Sequence, residues 1–545
     1  MFLPLAGALA LWLLPSNAVL MRFRRRAAAL ILGVTTLLLL VSRLAGTSAT
    51  FPFWQPLFAV GATIEFAADP LGSGVALLCS LAVTIVCLAT LARPLERHEA
   101  AGMLWLVGAT AGVTLAANLL TLCLAWLLLS LGLFFADLLR APEEGVPHIV
   151  RNSWSGLLSS ATLVAATVAL LNRPGGGGRL VDVFVDGLPQ RYLMAAALLR
   201  LGIYPLPGSL RRNWLAYMAS LAAGAYLWLR LVALAPGALP WQGWLVPLGA
   251  GTLLASGLLA VLLPDLALAL PALLLNGLTL VVLAPLIDRS AGMGVGLAAA
   301  AGLLLSLAVL RADSQVRPFG ALGRWARAPL VLALGALVGW PGTVGFTTHW
   351  LFLRLCAQGG RRDLLLIAAV SFLLITVPVW PRLRYLAREV CHATVPSPGQ
   401  AWLSVTMAML GAVLLVTLGL TPTLGGLLWP DAPASARELV APSVVTMFSG
   451  GLVEFTTLVL VAIVFPAMGS YALQGLWDSL PLRITRWGDV LCTFLELDWL
   501  YAGLDRLFER IGRVLARTLV AVEEGLYLGW TLLWVLVVAL YLIGH

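Results

Sequence analysis

The sequence predicts an all-α, polytopic membrane protein of roughly 14–16 transmembrane helices, because composition, the length of the apolar runs and the placing of the arginines all call for a bilayer. Of its 545 residues 61% are hydrophobic and 11% charged, with a mean hydropathy of +0.97. A soluble domain is roughly half apolar and a quarter charged, so a soluble enzyme of this composition is excluded. The apolar residues come in uncharged blocks such as Ala27 to Val41, Leu71 to Leu91 and Leu526 to Ile543. Most are near the roughly twenty residues that cross about 30 Å of hydrocarbon.

The charged and reactive residues exclude several function classes. The formal charge is +9, and the 34 positive side chains are all arginine, since the chain contains no lysine. Arginine-rich loops set membrane topology, so this balance implies no nucleic acid. The 6 cysteines show no C-x-x-C spacing and behave as small apolar groups. Neither a disulfide framework nor an iron–sulfur site follows, and the 5 scattered histidines lack metal-ligand spacing. No metal and no cofactor is expected.

Taken in order, apolar runs place spans at 3–20, 27–43, 68–92, 101–117, 119–139, 153–171, 191–209 and 214–234. Further spans fall at 243–263, 265–286, 291–310, 328–356, 363–386, 402–420, 445–467 and 525–543. The first run is followed, not preceded, by Arg22, Arg24, Arg25 and Arg26. That order is the reverse of a cleavable signal peptide, so the segment is expected to stay as a helix. Arginines gather in the loops after odd-numbered spans, which places those loops in the cytoplasm and the N-terminus outside a bacterial-type inner membrane. Between the last two spans, Leu504, Leu507, Phe508, Ile511, Leu515 and Leu519 form an apolar stripe beside Arg506, Arg510, Arg513 and Arg517. This pattern predicts an amphipathic helix along the cytoplasmic surface, followed by one closing span. The Gly175 to Gly178 run and the Pro396 to Pro398 stretch read as linkers.

Several segments, in the same order along nearly the whole chain, resemble the antiporter-like membrane subunits of respiratory complex I, Mrp-type antiporters and membrane-bound hydrogenases. They are Asp69-Pro70-Leu71, Asn118 to Leu131 (NLLTLCLAWLLLSL), Leu198 to Pro207 (LLRLGIYPLP), Ala223 to Arg230 (AGAYLWLR) and Gly339 to Trp350 (GWPGTVGFTTHW). Leu497 to Tyr501, a surface helix and a final span are similar to the end of the large L-type subunit. The resemblance implies N-terminal helices over 1–100, a first five-helix repeat over 101–234 and an inverted second repeat over 243–390. Additional helices over 391–467, the lateral segment 468–524 and a terminal helix over 525–545 complete it. Each repeat is expected to hold a broken helix, at Pro205 and at Pro341 to Gly345, where freed backbone groups line a hydrated path.

The family's path needs a carboxylate and several lysines or histidines whose burial brings their titration near neutrality. Here the expected glutamate is Leu127, the lysine of the first broken helix is Arg200, the next histidine is Ala216, and the Asp-x-Lys reads Asp265-Leu266-Ala267. The last lysine is His349, the one position of these that titrates near neutral pH. Arginine stays charged under any plausible burial and cannot relay a proton by losing it. With Leu127 in place of a carboxylate, Arg200 needs another counter-charge or a hydrated cavity, which Asp137 or the far end of Glu65 supplies only where packing brings them near. The resemblance therefore implies a subunit of a larger membrane complex, without a catalytic site of its own, that retains the fold as a scaffold. Its partners are other membrane subunits and the lipid bilayer, in an NADH:quinone oxidoreductase-like or related assembly. The alternative is a transporter rewired through Arg200, Asp265 and His349 for an anion such as bicarbonate, as in an inorganic-carbon uptake complex.

Overall fold

The computed structural model describes residues 1–15, 18–45, 50–57, 62–91, 97–140, 146–171, 180, 187–202, 213–235, 239–263, 266–313, 327–388 and 398–420, with Gly503, Arg506, Arg510 and Arg513. Helices α1 (Phe2–Leu13) and α2 (Ala18–Leu44) precede a hairpin of β1 (Thr50–Leu57) and β2 (Ala62–Ala67). Then follow α3 (Pro70–Ala89), α4 (Arg97–Thr114), α5 (Leu119–Arg140), α6 (Val146–Leu171), α7 (Gly187–Leu201) and α8 (Trp214–Leu234). The second half holds α9 (Gln242–Leu262), α10 (Leu266–Ile287), α11 (Arg289–Asp313), α12 (Ala328–Val338), α13 (Val344–Gln358), α14 (Arg362–Arg388) and α15 (Pro398–Leu420). Residues Leu497–His545 form a separate unit, in which Gly503, Arg506, Arg510 and Arg513 are helical and exposed. The expected spans 445–467 and 525–543 lie outside the described residues.

Among the described helices, nine are long and apolar enough to cross a bilayer: α2, α3, α5, α6, α8, α9, α10, α11 and α15. They divide into an inner and an outer set. The most apolar stretches of α3 and α8 are 89% buried, against 33% for α2 and α6. A helix apolar on every side is stable inside a bundle or facing lipid, and both solutions appear here. Helix α11 is central, packing against α3, α8, α10, α12, α13 and α15.

Two features differ from the reading of the sequence. The first span, expected over 3–20, ends at Leu13, and at 1.5 Å per residue α1 is only about 18 Å long. Pro15 explains the stop, because the residue before a proline is driven to extended backbone, as Leu14 is. Arg24 reaches back from α2 and donates to the carbonyls of Leu14 and Pro15, satisfying groups that the chain's turn leaves open. The second difference is the hairpin, which an all-α reading omits. Its second strand is tied to the α4–α5 turn: Ala67 N–H donates to Leu115 O (2.8 Å), Ala117 N–H to Glu65 O (2.9 Å) and Glu65 N–H to Thr121 Oγ1 (2.9 Å). Asn118 closes this junction, donating to Thr63 O while its Oδ1 accepts from Thr121 N–H at 2.9 Å.

The helix over 328–358 is interrupted between Val338 and Val344. Helix α12 stops in Gly339 at φ +79°, a conformation glycine adopts without steric cost, and Trp340 N–H donates back to Gly335 O at 2.7 Å. Thr343 then caps α13, its Oγ1 accepting from Phe346 N–H at 3.4 Å. The two arms cross so closely that a Cβ on Gly345 would collide with the Ala336 carbonyl oxygen. Gly345→Ala is therefore expected to destabilise the chain by about 2–3 kcal/mol through forced overpacking. A melting curve in detergent unchanged from wild type would contradict it.

Candidate functional site

Arg200 lies in the last turn of α7, where the negative end of the helix dipole favours a cation. Its side chain enters a space between α5, α6 and α8. Nη2 donates to Ser130 Oγ, and the guanidinium carbon stands 4.8 Å from the centre of the Trp126 ring. Ser130 is held in turn by its own bond to Trp126 O (2.8 Å) and by Ser160 Oγ at 2.8 Å. Helix α6 is fixed to α7 by Ser159 Oγ, which donates to Ala196 O at 2.7 Å. Arg200 is 4% exposed, its Nε has no hydrogen-bond partner, and no carboxylate forms an ion pair with it among the described residues.

A cavity of about 80 Å³ opens beside this guanidinium. Ser155, Gly156, Tyr217, Ser220, Asp137 and Ala216 are among its walls. The neighbours of Arg200 on α5 are Trp126 and Ser130 and not Leu127, which is 38% exposed and is not among the cavity walls. One residue turns a helix by about 100°, which moves Leu127 off the face that Trp126 and Ser130 share. Of the two carboxylates considered as counter-charge, Asp137 borders the cavity but accepts from Asn213 Nδ2 at 3.0 Å. Glu65 belongs to the hairpin junction.

Two further polar clusters hold the helices. Asp69 caps α3, accepting from Gly72 N–H at 3.4 Å, and pairs with Arg230 of α8, whose guanidinium carbon lies 5.5 Å from the Tyr226 ring centre. In the second half Asn276 of α10 donates to Ser256 Oγ (3.0 Å) on α9 and to Ser371 Oγ (2.7 Å) on α14. Both serines donate to the Leu253 carbonyl, and all three polar side chains are fully buried.

His349 sits on the first turns of α13, buried, and stacks on Phe372 with ring centres 3.9 Å apart and planes 9° from parallel. Its ring also faces Gly339, where a Cβ would strike Nδ1. Neither Phe372 nor Gly339 lines the Arg200 cavity, and His349 is not among its walls. Pro341 is exposed on the turn between α12 and α13. Pro205 and Asp265 lie outside the described residues, and Ala267 falls on the first turn of α10 with its side chain undescribed. Sequence reasoning missed Trp126, Ser130, Ser160, Asn276, Ser256 and Ser371. The available signal was their position on apolar helices, where a polar side chain needs a partner inside the bundle.

A bundle of apolar helices with one interrupted in mid-course, and with arginine, serine and asparagine turned inward, is the fold of a polytopic membrane protein. No protein-family model and no curated protein sequence matches the chain. Solved structures do. It is 19% identical to a chain of the Mrp complex from Dietzia sp. DQ12-45-1b, with a TM-score of 0.73 over 95% of this chain and 60% of that one. A chain of respiratory complex I from Thermus thermophilus matches at 20% identity and a TM-score of 0.64, over 80% of this chain and 98% of that one. A chain of the membrane-bound sulfane sulfur reductase, an archaeal respiratory membrane complex, matches at 16% identity and a TM-score of 0.62, over 80% and 76%.

Proposed function

We propose that the chain is a membrane subunit of a multi-subunit, proton- or cation-translocating assembly of the Mrp and complex I kind, similar to the L-type subunit. It serves there as a scaffold without a proton path of its own. In this reading it lies in a bacterial-type inner membrane with its N-terminus outside, 101–234 and 243–390 are the inverted repeats, and its partners are the other membrane subunits. The interruption between Val338 and Val344 supports the repeat assignment. The observation that carries the scaffold reading is the environment of Arg200. A permanently charged group rests on Trp126 and Ser130, and neither of these partners, the ones it has among the described residues, exchanges protons near neutrality.

The tagged chain, extracted from its own membranes in a mild detergent, is expected to migrate as part of a larger particle with other membrane subunits in fixed ratio. A monodisperse single-chain particle would refute the assembly. A second reading, a rewired ion transporter such as a subunit of an inorganic-carbon uptake complex, is favoured by one observation: the cation at the cavity has no carboxylate paired to it among the described residues.

A further inference from the structure

We infer that the cavity beside Arg200 is a binding site for one small monovalent anion of the size of chloride or bicarbonate. The inference does not depend on the scaffold reading, since a subunit that carries no protons can still hold an anion.

An unpaired guanidinium at 4% exposure is costly, because removal from water is repaid only by an opposite charge or a full set of acceptors. Arg200 has neither among the described residues. Its partners there are one hydroxyl and one aromatic ring, and Nε is buried without an acceptor. The end of α7 contributes only a partial negative charge, roughly half an elementary unit. Loss of the proton is no way out for an arginine.

The walls suit an anion. Ser155, Ser220 and Tyr217 bring hydroxyl groups, which donate as readily as they accept, and a space of about 80 Å³ holds a small anion with a few waters. Asp137, the one acidic wall residue among the described residues, follows Ser130 by seven residues on α5, about 10 Å along the axis. Its carboxylate accepts from Asn213 at 3.0 Å. Asp137 is thus engaged away from the Ser130 that Arg200 binds, and an anion is drawn to the Arg200 end.

The test compares melting of the purified full-length chain in chloride, bicarbonate and gluconate at equal ionic strength. Gluconate serves as the anion too bulky for the cavity. A ligand bound only to the folded state raises the melting temperature saturably with its concentration. Saturable protection by chloride, bicarbonate or both, absent in gluconate, is expected; the stronger of the two arms identifies the anion. Arg200→Gln should abolish that protection, while Arg191→Gln, exposed near the start of the same helix, should retain it. Equal curves in all three salts, or protection that survives Arg200→Gln, would overturn the site. If Arg200→Gln does not accumulate, chlorine NMR on the wild-type chain decides between the same two outcomes. Excess linewidth removed by a competing small anion supports the site, and linewidth no greater than in protein-free detergent refutes it.

Discussion

Replacing Asp69 by alanine is expected to destabilise the chain by about 3 kcal/mol, the range found when one partner of a buried ion pair is removed. Asp69 has two roles that fail together. It caps the first turn of α3, and it neutralises Arg230 on α8, whose side chain is 11% exposed. Loss of a cap costs about 1 kcal/mol. The larger part is the charge of Arg230, stranded between two helices whose apolar stretches are 89% buried. Arg230→Ala should cost less, because the carboxylate it leaves is 21% exposed and reaches water more easily. Asp69→Asn, which can still cap, separates the two roles and should sit between wild type and Asp69→Ala. In a double-mutant cycle read from melting curves, Asp69→Ala with Arg230→Ala should be less damaging than the sum of the single changes. Strict additivity would show that the pair contributes nothing.

This pair also shows what a linear sequence reveals and what it withholds. Asp69-Pro70-Leu71 and Ala223 to Arg230 each resemble a segment of the antiporter-like family, but as separate signals. Nothing in one dimension says that positions 161 apart share a bond. The helices are legible because a bilayer demands long uncharged runs, and most bounds in the first 420 residues agree with hydropathy to within several residues. The hairpin is not, since 50–67 is too short and too broken by Pro52 and Pro56 to read as a span, and its order comes from bonds to the α4–α5 turn. The site is half legible. Arg200 and His349 stand out as inward-facing ionisable groups in apolar helices, and both are buried. Which residues touch them depends on helix rotation, and a one-residue difference decides between Trp126, fully buried against the guanidinium, and Leu127 on the outer face. The Asn276, Ser256 and Ser371 cluster is invisible for another reason: single serines are common on membrane helices, and only packing joins these side chains into one network.

Reconstituted by itself into proteoliposomes, the chain is expected to pass no more protons under a membrane potential than protein-free vesicles do. A relay requires each station to gain and lose a proton at accessible pH. In the first half the buried station is Arg200, which never releases its proton and rests on an indole and a hydroxyl. In the second half a fully buried polar cluster is an amide and two hydroxyls, which donate and accept hydrogen bonds but do not ionise there. His349 is a titratable group, but it is stacked flat on Phe372, and neither residue lines the Arg200 cavity. A single exchanging group cannot connect two sides of a membrane without others in reach. A pH-sensitive dye trapped in the vesicles reads the outcome directly. Flux at the level of empty vesicles, unchanged by His349→Ala, agrees with a scaffold. Sustained, potential-driven acidification that His349→Ala abolishes would instead establish a working path through α13, and the scaffold reading would have to be given up for the rewired transporter.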